Sequence, residues 1–92
     1  MDSTVIDAIV TKDEEGGAGL DPVPREPQHC LTFICEPFTE LMVLNSIGMM
    51  PVPAVGEAIG LHGSEVVVTR VWTQYGRTHE GRPDIFTCVT VE

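Results

Sequence analysis

Basic and aromatic residues are scarce in this chain of 92 residues. Five lysines and arginines are present with 14 aspartates and glutamates, which gives a formal net charge of −9 and opposes attraction to a phosphate backbone. We therefore expect no direct binding to nucleic acid. The same excess of acid can attract a basic surface on a partner protein, although acidity also serves ordinary solubility.

Long apolar runs and an even set of cysteines are missing as well. No run approaches the roughly 18 apolar residues of a membrane span, and acidic residues, Asp2 and Asp7, occupy the place of the basic segment of a secretory signal. We expect a cytoplasmic protein without membrane contact. An odd number of cysteines in such a chain favours free thiols over a disulfide framework; the cysteines are Cys30, Cys35 and Cys88.

Residues 1–27 are the most acidic part of the chain, with seven acidic residues against Lys12 and Arg25, a formal −5. Thr4–Thr11 is β-branched and apolar, which predicts a strand. Lys12–Pro27 is rich in glycine, proline and acid, which predicts a flexible loop. If the strand does not pair with a sheet, this first quarter is a flexible arm. The predicted organisation is an acidic N-terminal strand or arm with its loop over 1–27 and a small β domain over 28–92.

The first half of that domain holds one clear element and one ambiguous element. Cys30–Glu36 is apolar, bounded by prolines, and predicts a strand with its odd-numbered residues on one face. Pro37–Ser46 places apolar residues at helical spacing before Gly48, and we predict a short helix there. The competing interpretation takes Leu41–Leu44 as another strand, because periodicity alone does not separate the two for a short apolar run.

The second half predicts a hairpin and a final strand. Met49–Pro53 contains two prolines and is expected to be a rigid connector. Ala58–Leu61 and Val66–Tyr75 are expected to pair through a tight turn at 62–65, and Asp84–Val91 alternates as a last strand. Four to five strands and one short helix indicate a mainly β fold: a partly open, SH3-like barrel or a curled antiparallel sheet.

Cysteine and histidine side chains raise two catalytic or metal-binding hypotheses. Cys30 and Cys35 lie within one predicted strand, without the glycine-bearing turn of a zinc knuckle, and this spacing argues against zinc. Cys35 precedes a proline but stands beside Glu36, which disfavours a thiolate nucleophile. We predict no enzyme, no cofactor and no metal. The alternative is a small metal-binding or thiol-dependent enzyme domain that uses Cys35 or a histidine: His29, His62 or His79.

An interaction surface is the remaining functional feature. Trp, Tyr and Arg dominate binding hot spots, although the single Trp of a small domain is more often in the core. Methionines beside prolines can form an adaptable exposed patch, or they can plug the end of the barrel. The acidic arm completes the candidate set, which is Trp72, Tyr75, Arg77, His79, Arg82, Met49, Met50, Asp13, Glu14 and Glu15.

Size, acidity and the missing catalytic motif favour a non-enzymatic protein-binding module. We expect a small acidic inhibitor or accessory protein of a mobile element that occludes a partner surface, with mimicry of nucleic acid as one version. A self-associating structural protein is a further alternative. Small sheets leave edge strands whose unpaired backbone groups attract a second copy, so a homodimer is one expected assembly.

Overall fold

The computed structural model describes residues 1–15 and 26–92. These residues form one helix and five strands, which are α1 (Ser3–Glu15), β1 (Gln28–Cys35), β2 (Thr39–Ile47), β3 (Ala58–Leu61), β4 (Ser64–Arg77) and β5 (Pro83–Val91). The strands make one curled sheet, a half-barrel, in the order β2-β1-β5-β4-β3. The predicted mainly β class is confirmed, and the fold has one short helix, although not in the segment where the sequence predicted it.

The sheet is mixed, because its central strand, β5, runs parallel to its neighbour β1. β1 and β5 pair from Gln28 opposite Asp84 to Cys35 opposite Val91, whereas the other three pairs of neighbours are antiparallel. A tight turn cannot join parallel neighbours, and here β2, β3 and β4 lie within the connection. The centre of the sheet therefore depends on residues that are far apart in the sequence.

The hydrophobic core is small and lies on one face of the sheet, which we call the inner face. Alternate residues of β1 and β5 supply most of it, as the two-residue period of a strand requires. Each core side chain is at most 6% exposed; they are Leu31, Phe33, Val68, Val89 and Val91. Burial of one such side chain contributes roughly 1.5–3 kcal/mol, so stability rests on a handful of residues.

A β-bulge at Thr69 changes which residues of β4 face the core. Val68 and Arg70 pair with successive residues of β5, which leaves Thr69 as an additional residue. Val68 is buried before the bulge, and Val71 packs against the core after it. The inner face therefore takes even-numbered residues before the bulge and odd-numbered residues after it, which is why apolar residues occur at both even and odd positions of β4.

A histidine lies fully buried in the core. His29 of β1 is 0% exposed, and its Nε2 lies 2.9 Å from the hydroxyl oxygen of Thr87 on β5. The backbone N–H of Met50 donates to Nδ1 over 3.1 Å, so Nδ1 carries no proton and Nε2–H donates to Thr87. The ring thereby joins β1 and β5 to the segment that connects β2 with β3.

The strand predicted over Thr4–Thr11 is wrong, since this segment lies within α1. Asp2 begins the helix: its carboxylate accepts a hydrogen bond from the Thr4 N–H at 2.7 Å, and its carbonyl accepts from the amides of Val5 and Ile6. β-branched residues lower helix propensity only slightly, so a good cap is enough to offset them. Of the predicted loop Lys12–Pro27, residues 12–15 are helical and 16–25 lie outside the described residues.

The helix predicted over Pro37–Ser46 is also wrong, because this segment forms β2. Phe38 has a φ of 133°, far from the helical region, and the chain reverses there. The following residues pair with β1 along its whole length. The competing interpretation of Leu41–Leu44 as a strand is confirmed. The ambiguous apolar run becomes a strand because β1 offers it a hydrogen-bonding edge.

The other predicted strands and the hairpin are confirmed. The hairpin turn between β3 and β4 consists of His62 and Gly63 alone, with φ of 49° and 85°, and β4 already begins at Ser64. Positive φ at both central residues is the pattern of a type I′ turn, which matches the twist of a hairpin and suits glycine. The turn is therefore shorter than the predicted 62–65.

We expect His29→Ala to lower the free energy of unfolding by about 3 kcal/mol, because it leaves a cavity and two buried hydrogen-bonding groups without a partner. Urea unfolding followed by Trp72 fluorescence measures this. His79→Ala removes an imidazole whose side chain is 92% exposed and should change stability by no more than about 0.5 kcal/mol. Equal effects of the two variants would contradict the structural role of His29.

Candidate protein-interaction surface

A cleft of about 1080 Å³, the α1 cleft, opens between α1 and the ends of β4 and β5. Its apolar lining comes from Ile9 and Val10 on the helix and from Tyr75, Pro83 and Ile85 on the sheet. Charges of both signs surround this lining, in three carboxylates and two cations: Asp13, Glu14, Glu15, Lys12 and Arg77. The cleft thus combines apolar side chains with a mixed and slightly acidic rim.

One ion pair joins the two walls of the α1 cleft. The guanidinium of Arg77 donates through Nε to the Asp13 carboxylate over 2.5 Å, and its Nη1 lies 3.4 Å from the carbonyl oxygen of Gly81. The two charged side chains are 33% and 50% exposed. At this exposure water screens the pair, so it is worth at most about 1 kcal/mol and orients the helix only weakly.

The structure brings together two groups of candidates that are more than 55 residues apart in the sequence. Six of the ten predicted interface residues line the α1 cleft, three from the acidic arm and three from the end of β4 and its loop: Asp13, Glu14, Glu15, Tyr75, Arg77 and His79. Tyr75 is 76% exposed, and Tyr and Arg are the residue types most often found in binding hot spots.

The apolar face of α1 is the part of this surface that the sequence prediction missed. Its side chains, which we call the α1 stripe, are between 45% and 56% exposed, and α1 has no buried residue; they are Val5, Ile6, Ile9 and Val10. Positions i, i+1, i+4 and i+5 share one side of a helix. That spacing, preceded by Asp2 as a cap, was the signal in the sequence that could have revealed the helix.

Trp72 lies outside the α1 cleft, on the face of the sheet opposite the core, which we call the outer face. It is 45% exposed and meets Phe86 edge-to-face, with ring centroids 6.1 Å apart. Trp72 is therefore not a core residue, although the single Trp of a small domain usually is. Its neighbours on the outer face are better covered, since Thr32 and Thr90 are 7% and 6% exposed.

The remaining candidates are dispersed. Met50 packs against the core and donates its backbone N–H to His29, whereas Met49 next to it is 52% exposed. The Nη1 atom of Arg82 lies 3.3 Å from the carbonyl oxygen of Glu26. Met50 therefore covers part of the core and Met49 is exposed, and neither lines the α1 cleft.

The three cysteines are free thiols of intermediate exposure. Cys30 and Cys35 fall on opposite faces of β1, because an odd number of residue steps separates them in a regular strand. Among residues 1–15 and 26–92, no three His, Cys, Asp or Glu side chains lie close enough together to hold a metal ion.

We expect Asp13→Asn to loosen α1 from the sheet without unfolding the β domain. Loss of an exposed pair worth up to about 1 kcal/mol should raise the detached population up to roughly fivefold. Amide hydrogen exchange across α1 measures this, and urea unfolding should shift by less than about 0.5 kcal/mol. Glu14→Gln removes a carboxylate one residue later and is the matched control; equal exchange in both variants would contradict a tethering role for Asp13.

Comparison with known proteins adds no assignment. No protein-family model, no curated protein and no solved structure matches this chain. Within the part of the chain that the structure describes, no helix is long and apolar enough to cross a membrane. The function therefore has to be argued from the residues and their geometry.

Proposed function

We propose that this chain is a non-enzymatic protein-binding module in which α1 docks into an apolar groove with a basic rim on a partner protein and occludes that groove. The observation that carries the proposal is the half-exposed α1 stripe on a helix that buries no residue. Apolar anchors at helical spacing are how amphipathic helices occupy the grooves of other proteins.

The short length of α1 is a second argument that it docks into a groove. A helix of 13 residues is marginal in water on its own, and most helices in proteins are stabilised by burying an apolar face. Among the described residues, the ion pair between Arg77 and Asp13 ties α1 to the sheet while the stripe stays half exposed. A partner that covers the stripe supplies the missing burial.

The charge of α1 favours a basic rim around that groove. The helix carries four carboxylates and one lysine, and three of the carboxylates are consecutive at its end: Asp13, Glu14 and Glu15. Opposite charge on the partner would accelerate encounter and exclude acidic competitors. Where such a groove normally receives a phosphate backbone, the chain acts as a nucleic-acid mimic, the mode of action of a small acidic inhibitor or accessory protein.

We expect capture of one stoichiometric protein partner from lysate of the native host by the tagged full chain after nuclease treatment. Ile9→Gln should reduce the captured partner at least roughly tenfold, because it removes an apolar anchor from the centre of the α1 stripe. Thr11→Gln is the matched control, since it also replaces a β-branched residue with glutamine but lies on the opposite side of the helix.

A salt series separates the electrostatic part of this interaction from the apolar part. Capture should fall steadily as sodium chloride rises, because screening weakens attraction between α1 and a basic rim. Purification of the same partner with both glutamine variants would overturn the docking role of α1. Capture that does not change with salt would contradict a basic rim on the partner and, with it, the mimicry of nucleic acid.

A further inference from the structure

β2 is an edge strand with features that natural proteins usually avoid at an edge. Among the described strands, β2 and β3 form the two edges of the sheet. β3 is only four residues long, whereas β2 has nine residues and pairs with β1 on one side. Protected edges are short, bulged, or carry lysine, proline or inward-pointing charge. β2 has only a bulge at Leu41, near its start, and Met42–Ile47 pairs regularly with β1.

The exposed surface of β2 is apolar and almost without charge. Four large apolar side chains of the strand are between 40% and 57% exposed, namely Leu41, Val43, Leu44 and Ile47. Glu40 is its one charged residue, and the sequence has no Asp, Glu, Lys or Arg from 41 to 56. In a chain of net charge −9, this segment is where a second acidic molecule meets the least repulsion.

We propose that the free edge of β2 pairs with β2 of a second copy of this chain, antiparallel about a two-fold axis, to give a continuous ten-stranded sheet. A two-fold interface brings the same patch of both molecules together, so the patch must be compatible with itself. Because of the bulge at Leu41, pairing centred on Val43 places Glu40 beside Asn45 and Ser46 of the second copy, and pairing centred on Leu44 places it beside Ile47 and Gly48. In neither arrangement do like charges face each other.

The length of the strand is sufficient for a stable contact. The regular part of β2 after the bulge, Met42–Ile47, extends about 20 Å. Antiparallel pairing over that length forms about six backbone hydrogen bonds, which is within the range of a typical protein interface. The exposed side chains of the two strands become neighbours on the same faces of the joined sheet, where cross-strand apolar pairs add stability. The pairing also satisfies the outward backbone groups of β2.

Sedimentation equilibrium of the full chain over a concentration series tests the dimer. We expect a mass of twice 10.0 kDa at high concentration and dissociation on dilution. Val43→Lys should weaken dimerisation at least roughly tenfold, because it places a lysine, which protects natural edge strands from pairing, at the centre of the contact. This weakening is expected although the substitution lowers the net negative charge. Val67→Lys is the matched control, since Val67 is also 41% exposed but lies within β4, paired with Ala58 of β3.

Circular dichroism checks that both lysine variants are folded. Each variant must show the spectrum of the wild type for the comparison of their dimerisation to hold. If Val43→Lys does not fold, hydrogen exchange of the wild type decides: protection of alternate β2 amides should rise with protein concentration. A single-chain mass for the wild type at every concentration, or equal weakening by both lysine variants, would overturn the proposal.

Two further readouts separate this dimer from the proposed docking of α1, on which it does not depend. Added salt should tighten the dimer, since it screens repulsion between two acidic chains, whereas it should weaken binding to a basic partner. Ile9→Gln should leave the dimer intact. If Ile9→Gln dissociates the dimer and Val43→Lys does not, the copies meet through α1 rather than β2 and the proposal fails.

Discussion

The buried ring of His29 is the interaction on which the arrangement of this fold depends. It donates to Thr87 of β5 and accepts from the Met50 amide, so one side chain joins β1, β5 and the segment that connects β2 with β3. An imidazole that is 0% exposed is tolerated only because both nitrogens have partners. The hydrogen bond to the Met50 amide thereby holds the segment between β2 and β3 against the core, where Met50 packs.

The parallel pairing of β1 and β5 then decides where the two proposed interaction surfaces lie. It puts β2 at one edge of the sheet and leaves the ends of β4 and β5 for the α1 cleft. The two surfaces differ in chemistry, since the α1 cleft is rimmed by charges and the β2 edge is almost uncharged. The proposed binding of a basic partner and the proposed self-association therefore use separate surfaces of different chemistry.

Part of the candidate surface could be predicted from residue types alone. The acidic residues of the arm and the Tyr75, Arg77 and His79 group were identified separately, because hot-spot residue types and charge runs are visible in a sequence. Their meeting in one cleft was not predictable, since it depends on the docking of α1 across more than 55 residues. The α1 stripe was missed because β-branched residues favoured a strand, although the spacing and the Asp2 cap indicated a helix.

The sequence by itself determined the acidic charge, the free cysteines, the hairpin and the strands at β1, β4 and β5, because charge, β-branched and apolar runs and turn residues are local signals. Only the tertiary structure decided that residues 39–47 are a strand, since their run of apolar residues fits either state and the edge of β1 selects one. Tertiary structure also decided the exposed position of Trp72, the burial of His29 and the bulge at Thr69. These depend on which face of the sheet a residue takes, and only long-range pairing fixes that face.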